Sequence, residues 1–250
     1  MWLVLCDRSD ASALWAYQAL RARGLAPLEL VTADALALGD RLEHRLAGSR
    51  TTVSLRAVGG LRIDGDQLSG VLNRLYTVPV DPWRNAAQAD RDYVQQELVA
   101  LYLSWLYALP CPVLNRPTPQ GLCGRWRSES EWVWLALQAE LPVAPFRQSA
   151  RDGVDELKGQ RRLIAPGQMV LSVIVVGDAV TGGPAPPRIA AACRRLARLA
   201  DAELLGIDFV VGAAGPWTFA GASPMPDLMS GGNEFIGALI RVLTAERMAA

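Results

Sequence analysis

Short apolar runs alternate with helix-patterned stretches from the first residues onward, and that alternation admits few folds. Trp2-Leu3-Val4-Leu5-Cys6 is continuous, apolar and of strand length, the pattern of a strand buried on both faces. Ser9 or Asp10 can cap a helix whose stripe is Leu14, Trp15, Ala19 and Leu20, ended by Gly24. Residues 28–31 read as a second strand. Asp34 then caps a predicted helix through Leu38, Leu42 and Leu46, and residues 51–58 alternate as a strand up to Gly59-Gly60. A further strand is expected over 71–75. A long helix from about Ala86 to Ala108 carries Val94, Leu98, Leu101, Tyr102 and Trp105 at 3.6-residue spacing and stops at Pro110 and Pro112. Residues 1–117 therefore predict an α/β domain built on an open parallel sheet.

Residues 118–250 predict a smaller α+β lobe. Ser128-x-x-Glu131 is a capping-box pattern that opens a helix with Trp132, Leu135 and Ala139 on one face. Strands are expected over 169–176, 205–211 and 217–221, in one sheet, with Gly177-Asp178 as a turn. Helices are expected over about 188–202 and 233–247.

Composition removes several function classes. Lys+Arg and Asp+Glu are equal at 25 each, so no charge footprint for nucleic acid or an anionic membrane exists. The longest apolar-rich stretch, 98–109, falls short of the roughly 20 residues of a membrane span. The run after Met1 lacks the basic region of a secretory signal. Four cysteines without a Cys-x-x-Cys pair, and one histidine, make a zinc site improbable and fit buried thiols in a reducing cytoplasm. His44, between Glu43 and Arg45, is expected on a polar helical face. Gly231-Gly232 precedes the last helix and could approach a phosphate.

Several ordered segments together resemble the RimK-like group of the ATP-grasp superfamily: Gly70-Val-Leu-Asn-Arg74; the helix to Leu109 followed by Cys-Pro-Val-Leu-Asn115-Arg-Pro117; Leu141-Pro-Val-Ala-Pro145; Val173-Ile-Val-Val-Gly-Asp178; Leu204-Leu-Gly-Ile-Asp208-Phe; and Trp217-Thr-Phe-Ala-Gly-Ala-Ser223-Pro-Met-Pro226. The resemblance implies a pre-ATP-grasp-like parallel sheet followed by a reduced ATP-grasp-like lobe. It also implies an Asp, a Glu and an Asn that present hard oxygen ligands to magnesium. Asp208 matches the Asp, whereas Gly221 stands where the Glu is expected and Ser223 where the Asn is expected. Lys158, the only lysine, falls where phosphate-binding residues belong, with Gly153 and Gly159 beside it. The segment between Pro145 and Met169 is short for the family's middle lobe. Lys158, Asp208 and Ser223 are thus the candidate cofactor-binding residues, and Asp208 the candidate metal ligand. In its apolar strand Asp208 is expected to be buried and to need an arginine or a metal as partner.

Three readings follow. The first is a pseudoenzyme, an ATP-grasp-like protein without catalysis that serves as a binding or accessory subunit and needs no cofactor. The second is an active ATP-dependent carboxylate–amine ligase that uses ATP and magnesium. The third is an unrelated doubly wound protein with a ligand at its sheet crevice. A protein partner or a second copy is expected on the Pro- and Trp-rich stretch 110–134.

Overall fold

A computed structural model describes residues 1–47, 50–79, 81–146, 168–212, 215 and 217–245. They form two compact units, Met1–Trp126 with Ile236–Ala250, and Arg127–Phe235.

In the first unit β1 (Trp2–Cys6), β2 (Leu28–Thr32), β6 (Gly70–Arg74) and β7 (Val113–Leu114) make a parallel sheet of order β2-β1-β6-β7. β1 is central, paired with β2 and β6. Leu3, Val4 and Leu5 are all buried, as the unbroken apolar run predicts for a strand covered on both sides. Helix α1 (Ala11–Ala22) is capped by Asp10, whose carboxylate accepts from the Ala13 N–H at 2.9 Å. The long helix α3 (Gln88–Ala108) packs Tyr102, Trp105 and Leu106 into the core with Leu3, Leu5 and Val71. Its last turn leaves carbonyls without helical partners. Arg116 donates to four oxygens there, of Leu106, Tyr107, Leu109 and Cys111.

One predicted helix is a strand. Helix α2 is only Ala33–Ala37, and residues 41–47 form β3 (Arg41–Ala47), antiparallel to β4 (Arg50–Arg56), which also pairs with β5 (Arg62–Asp64). This second sheet has the order β3-β4-β5. Gly39 explains the break. A Cβ there would lie 2.3 Å from the Arg56 carbonyl oxygen, so the chain turns against β4 only because this residue has no side chain. His44 accordingly sits on a strand, not on a polar helical face, with Nε2 3.1 Å from Ser104 Oγ.

In the second unit β8 (Gln168–Val176), β9 (Ala179–Gly182), β10 (Leu204–Gly212) and β11 (Thr218–Ser223) form an antiparallel sheet of order β11-β10-β8-β9. The three predicted strands share it. Helices α4 (Glu129–Gln138) and α5 (Pro187–Leu199) supply Ala136, Cys193 and Leu196 to a core with Val173, Val175, Ile207 and Phe209. The capping box forms as read: the Ser128 hydroxyl accepts from the Glu131 N–H, and the Glu131 carboxylate accepts from the Ser128 N–H. Trp132 is buried beneath the Arg127 guanidinium, whereas Trp134 is exposed. Helix α6 (Gly232–Leu243) runs from the second unit into the residues of the first.

Candidate functional site

Alternation along β10 decides which residues face away from the core. Ile207 and Phe209 are buried, so Asp208 points to the opposite side of the sheet. Its register partners are Ser172 on β8 and Gly221 on β11. The sheet thus presents a row Ser172–Asp208–Gly221, beside a second row in which Gly206 faces Ser223. The β10–β11 ladder shifts register between Asp208 and Phe209, a bulge of the kind that re-aims side chains.

Asp208 is exposed, not buried. The reason is its strand phase: the apolar neighbours in sequence face the helices, and the aspartate does not share their environment. It meets a hydroxyl rather than an arginine. Ser172 Oγ donates to Oδ1 at 2.6 Å. Ser172 is the site residue the sequence analysis missed; strand pairing brings it from 36 positions away.

Gly221 stands directly across from Asp208, and a Cβ added there meets nothing within 4 Å. Ser223 is turned to local use, its hydroxyl accepting from the Met225 N–H at 3.0 Å. Pro226 packs over Gly206, where a Cβ would come within 2.6 Å of the proline Cβ. Gly231 is buried, and a Cβ there would lie 2.5 Å from the Phe235 Cβ, so close packing rather than an open cradle explains it. Lys158, Gly153 and Gly159 lie outside the described residues. Among the described residues no group of three or more His, Cys, Asp or Glu side chains is placed to hold a metal ion.

The first unit holds charge differently. At the carboxyl ends of its parallel strands Arg74 and Asp10 form a buried pair, Nε to Oδ2 2.6 Å, with side chains 5% and 11% exposed. Asn73 is buried beside them, its amide donating to the carbonyls of Asn115 and Leu122 and its Oδ1 accepting from the Leu75 N–H. Asp7 is held above the usual carboxylate range by burial first, then by Asp10 and Asp34. All four cysteines are buried thiols outside any disulfide; burial pushes the Cys6 and Cys123 thiols up to about 11 and Cys193 to about 12, which leaves them unreactive near neutrality. A cavity of about 620 Å³ lies against β3, β4 and β5, walled by Trp105 and Leu109. Its charges neutralise one another: Arg41 and Arg45 both pair with Glu43, and Arg62 with Asp64. Hydrogen bonds from Arg41 and from Ser54 hold Glu43 and Asp64, respectively, below the usual range.

No protein-family profile and no curated protein sequence matches the chain. Solved structures do. Macrocyclase MdnB from Microcystis aeruginosa MRC superposes with TM-score 0.70 at 16% identity, covering 97% of this chain and 98% of the other. A Chryseobacterium gregarium RiPP-associated ATP-grasp ligase, in complex with ADP and a leader and core peptide, gives 0.71 at 12%, covering 97% and 96%. ATP-grasp ligase PsnB, complexed with minimal precursor, Mg and ADP, gives 0.65 at 16%, covering 98% of both. Among the described residues no helix is long and apolar enough to cross a membrane. The chain has an ATP-grasp-like α/β fold.

Proposed function

We propose that this chain is an ATP-grasp-fold protein without ligase catalysis that serves as a binding or accessory subunit, with a peptide as its partner class. The row Ser172–Asp208–Gly221 carries the reading: one carboxylate faces a glycine where the family resemblance expects a second acidic ligand. Magnesium is held by several hard oxygen ligands, and a phosphoryl-transfer site must place cations against the triphosphate before reaction. Lys158, Asp208 and Ser223 are, on this reading, the remnant of a nucleotide site, and Asp208 the remnant of its metal site. The peptide partner class comes from the solved neighbours that were crystallised with precursor peptides. Four buried thiols outside any disulfide suit a reducing, cytoplasmic setting.

A second reading, an ATP-dependent carboxylate–amine ligase with an altered site, draws on a neighbour solved with Mg and ADP. One set of measurements separates the two. Calorimetry with Mg-ATP and an ADP-release assay with carboxylate and amine pools are expected to give neither tight binding nor turnover. The double variant Gly221→Glu/Ser223→Asn, for which space at position 221 is open, is expected to gain Mn²⁺ binding that the parent chain lacks. Robust turnover by the parent chain, abolished by Asp208→Asn, would overturn the non-catalytic reading and install the ligase.

A further inference from the structure

β3 ends its sheet, and among the described residues no strand pairs with its outer edge. It is long for an edge strand: seven consecutive residues pair with β4 without a register shift. It contains no proline or bulge, two of the devices that keep an edge from pairing with another chain, and the charges it does carry, Arg41, Glu43 and Arg45, are of both signs, so they oppose only those registers that set like signs together. Leu42 and Leu46 on this strand are 39% and 72% exposed.

The order of side chains along the edge is self-complementary. In an antiparallel pair of identical strands related by a two-fold axis, each residue faces its mirror position about a centre. Centring on His44 sets Leu42 against the partner's Leu46 on one face and Glu43 against the partner's Arg45 on the other. The neighbouring centres that keep faces matched do worse. Glu43 at the centre places Glu43 against itself and Arg41 against Arg45; Arg45 at the centre places Arg45 against itself. Directly opposed like charges destabilise a sheet pair and opposite charges stabilise it, so charge selects one register.

We propose that β3 is a self-association edge, through which two copies pair antiparallel about His44 and join their three-stranded sheets into one of six strands. The occupant is a second copy because the complementarity lies within one five-residue segment, Leu42 to Leu46, read against itself. The Leu–Leu contact removes apolar surface from water twice, and the backbone ladder satisfies the exposed edge groups. The edge belongs to the first unit and Asp208 to the second. A chain that turns over ATP and a chain that stays monomeric are therefore distinguishable outcomes.

Sedimentation velocity of the full chain over a concentration series is expected to show a monomer–dimer equilibrium. Arg45→Glu and Glu43→Arg should each weaken self-association by about tenfold or more, since each replaces two attractive cross-strand pairs by two repulsive ones. Mixing the two variants in equal amounts should restore a dimer, because each supplies the charge the other lacks. Hydrogen exchange on the unaltered chain provides a readout without mutation: amides within 42–46 should gain protection as concentration rises. A monomer at every concentration overturns the proposal and leaves the edge to a different partner. A dimer indifferent to both charge reversals, or exchange over 42–46 that does not change with concentration, overturns it equally.

Discussion

The two units each carry an aspartate beside an apolar strand and use it in opposite ways. Asp10 is nearly inaccessible, caps α1 and pairs with buried Arg74. Asp208 is exposed and accepts from the Ser172 hydroxyl. A desolvated charge must be matched by the protein itself, which makes Asp10 part of the architecture. An exposed carboxylate is matched by water, so it carries little of the fold and remains available to a ligand. The need for a protein partner that the apolar setting of Asp208 suggests in the sequence belongs instead to Arg74, the charged residue in the buried run of β6.

The widest separation between the units should appear in denaturation. Asp10→Ala takes away the carboxylate that faces the buried Arg74 guanidinium and removes a helix cap, and is expected to cost about 3–5 kcal/mol. Asp208→Ala is expected to stay within about 0.5 kcal/mol. Urea unfolding of both variants checks this, and equal losses would erase the distinction.

Helix ends offer a narrower contrast. Arg116 serves four carbonyl oxygens at the end of α3. Arg195 serves the Ala139 carbonyl after α4 and the exposed Glu140 carboxylate. Arg116→Ala should cost about 1–3 kcal/mol, and Arg195→Ala less, because water reaches its site. Thermal melts that rank them the other way would refute the burial explanation.

A gain is expected in the first core. Among the described residues the buried Tyr102 hydroxyl has no hydrogen-bond partner, and burial drives its pKa upward. Tyr102→Phe removes the stranded polar group and keeps the ring packed edge-on against Trp105, so stability should rise by about 1 kcal/mol. A loss measured by urea titration would mean that the hydroxyl has a water partner.

The smallest effect concerns pH. Asp7 has a folded pKa raised by burial and by Asp10 and Asp34. The folded chain therefore holds this proton more tightly than the unfolded chain does. The resulting stability is complete below the unfolded aspartate pKa of about 3.9 and is lost as pH rises through the raised value. Asp7→Asn should leave stability nearly unchanged below that range and raise it slightly at neutral pH. Melting curves across acid and neutral buffers test this.

Local rules made much of the molecule legible from its residues. The apolar run of β1, the 3.6-residue stripe of α3 and the Ser128–Glu131 capping box each depend on contacts within one element or on burial of its whole surface. Such features are written in neighbouring positions, and the structure follows them. The strand phase of Asp208 is also present in the sequence, because Ile207 and Phe209 flank it: in an alternating strand burial belongs to single residues and not to the segment as a whole.

Tertiary structure alone decided two matters. Leu38, Leu42 and Leu46 recur every four residues, and that spacing keeps them on one face of a helix and equally on one face of a strand, since four is close to the helical period and also even. The contact of Gly39 with the Arg56 carbonyl on β4 breaks the tie in favour of β3. The site row is the second matter. Ser172, Asp208 and Gly221 are adjacent only through cross-strand register, which depends on how separate strands pack and on no pattern within any one of them.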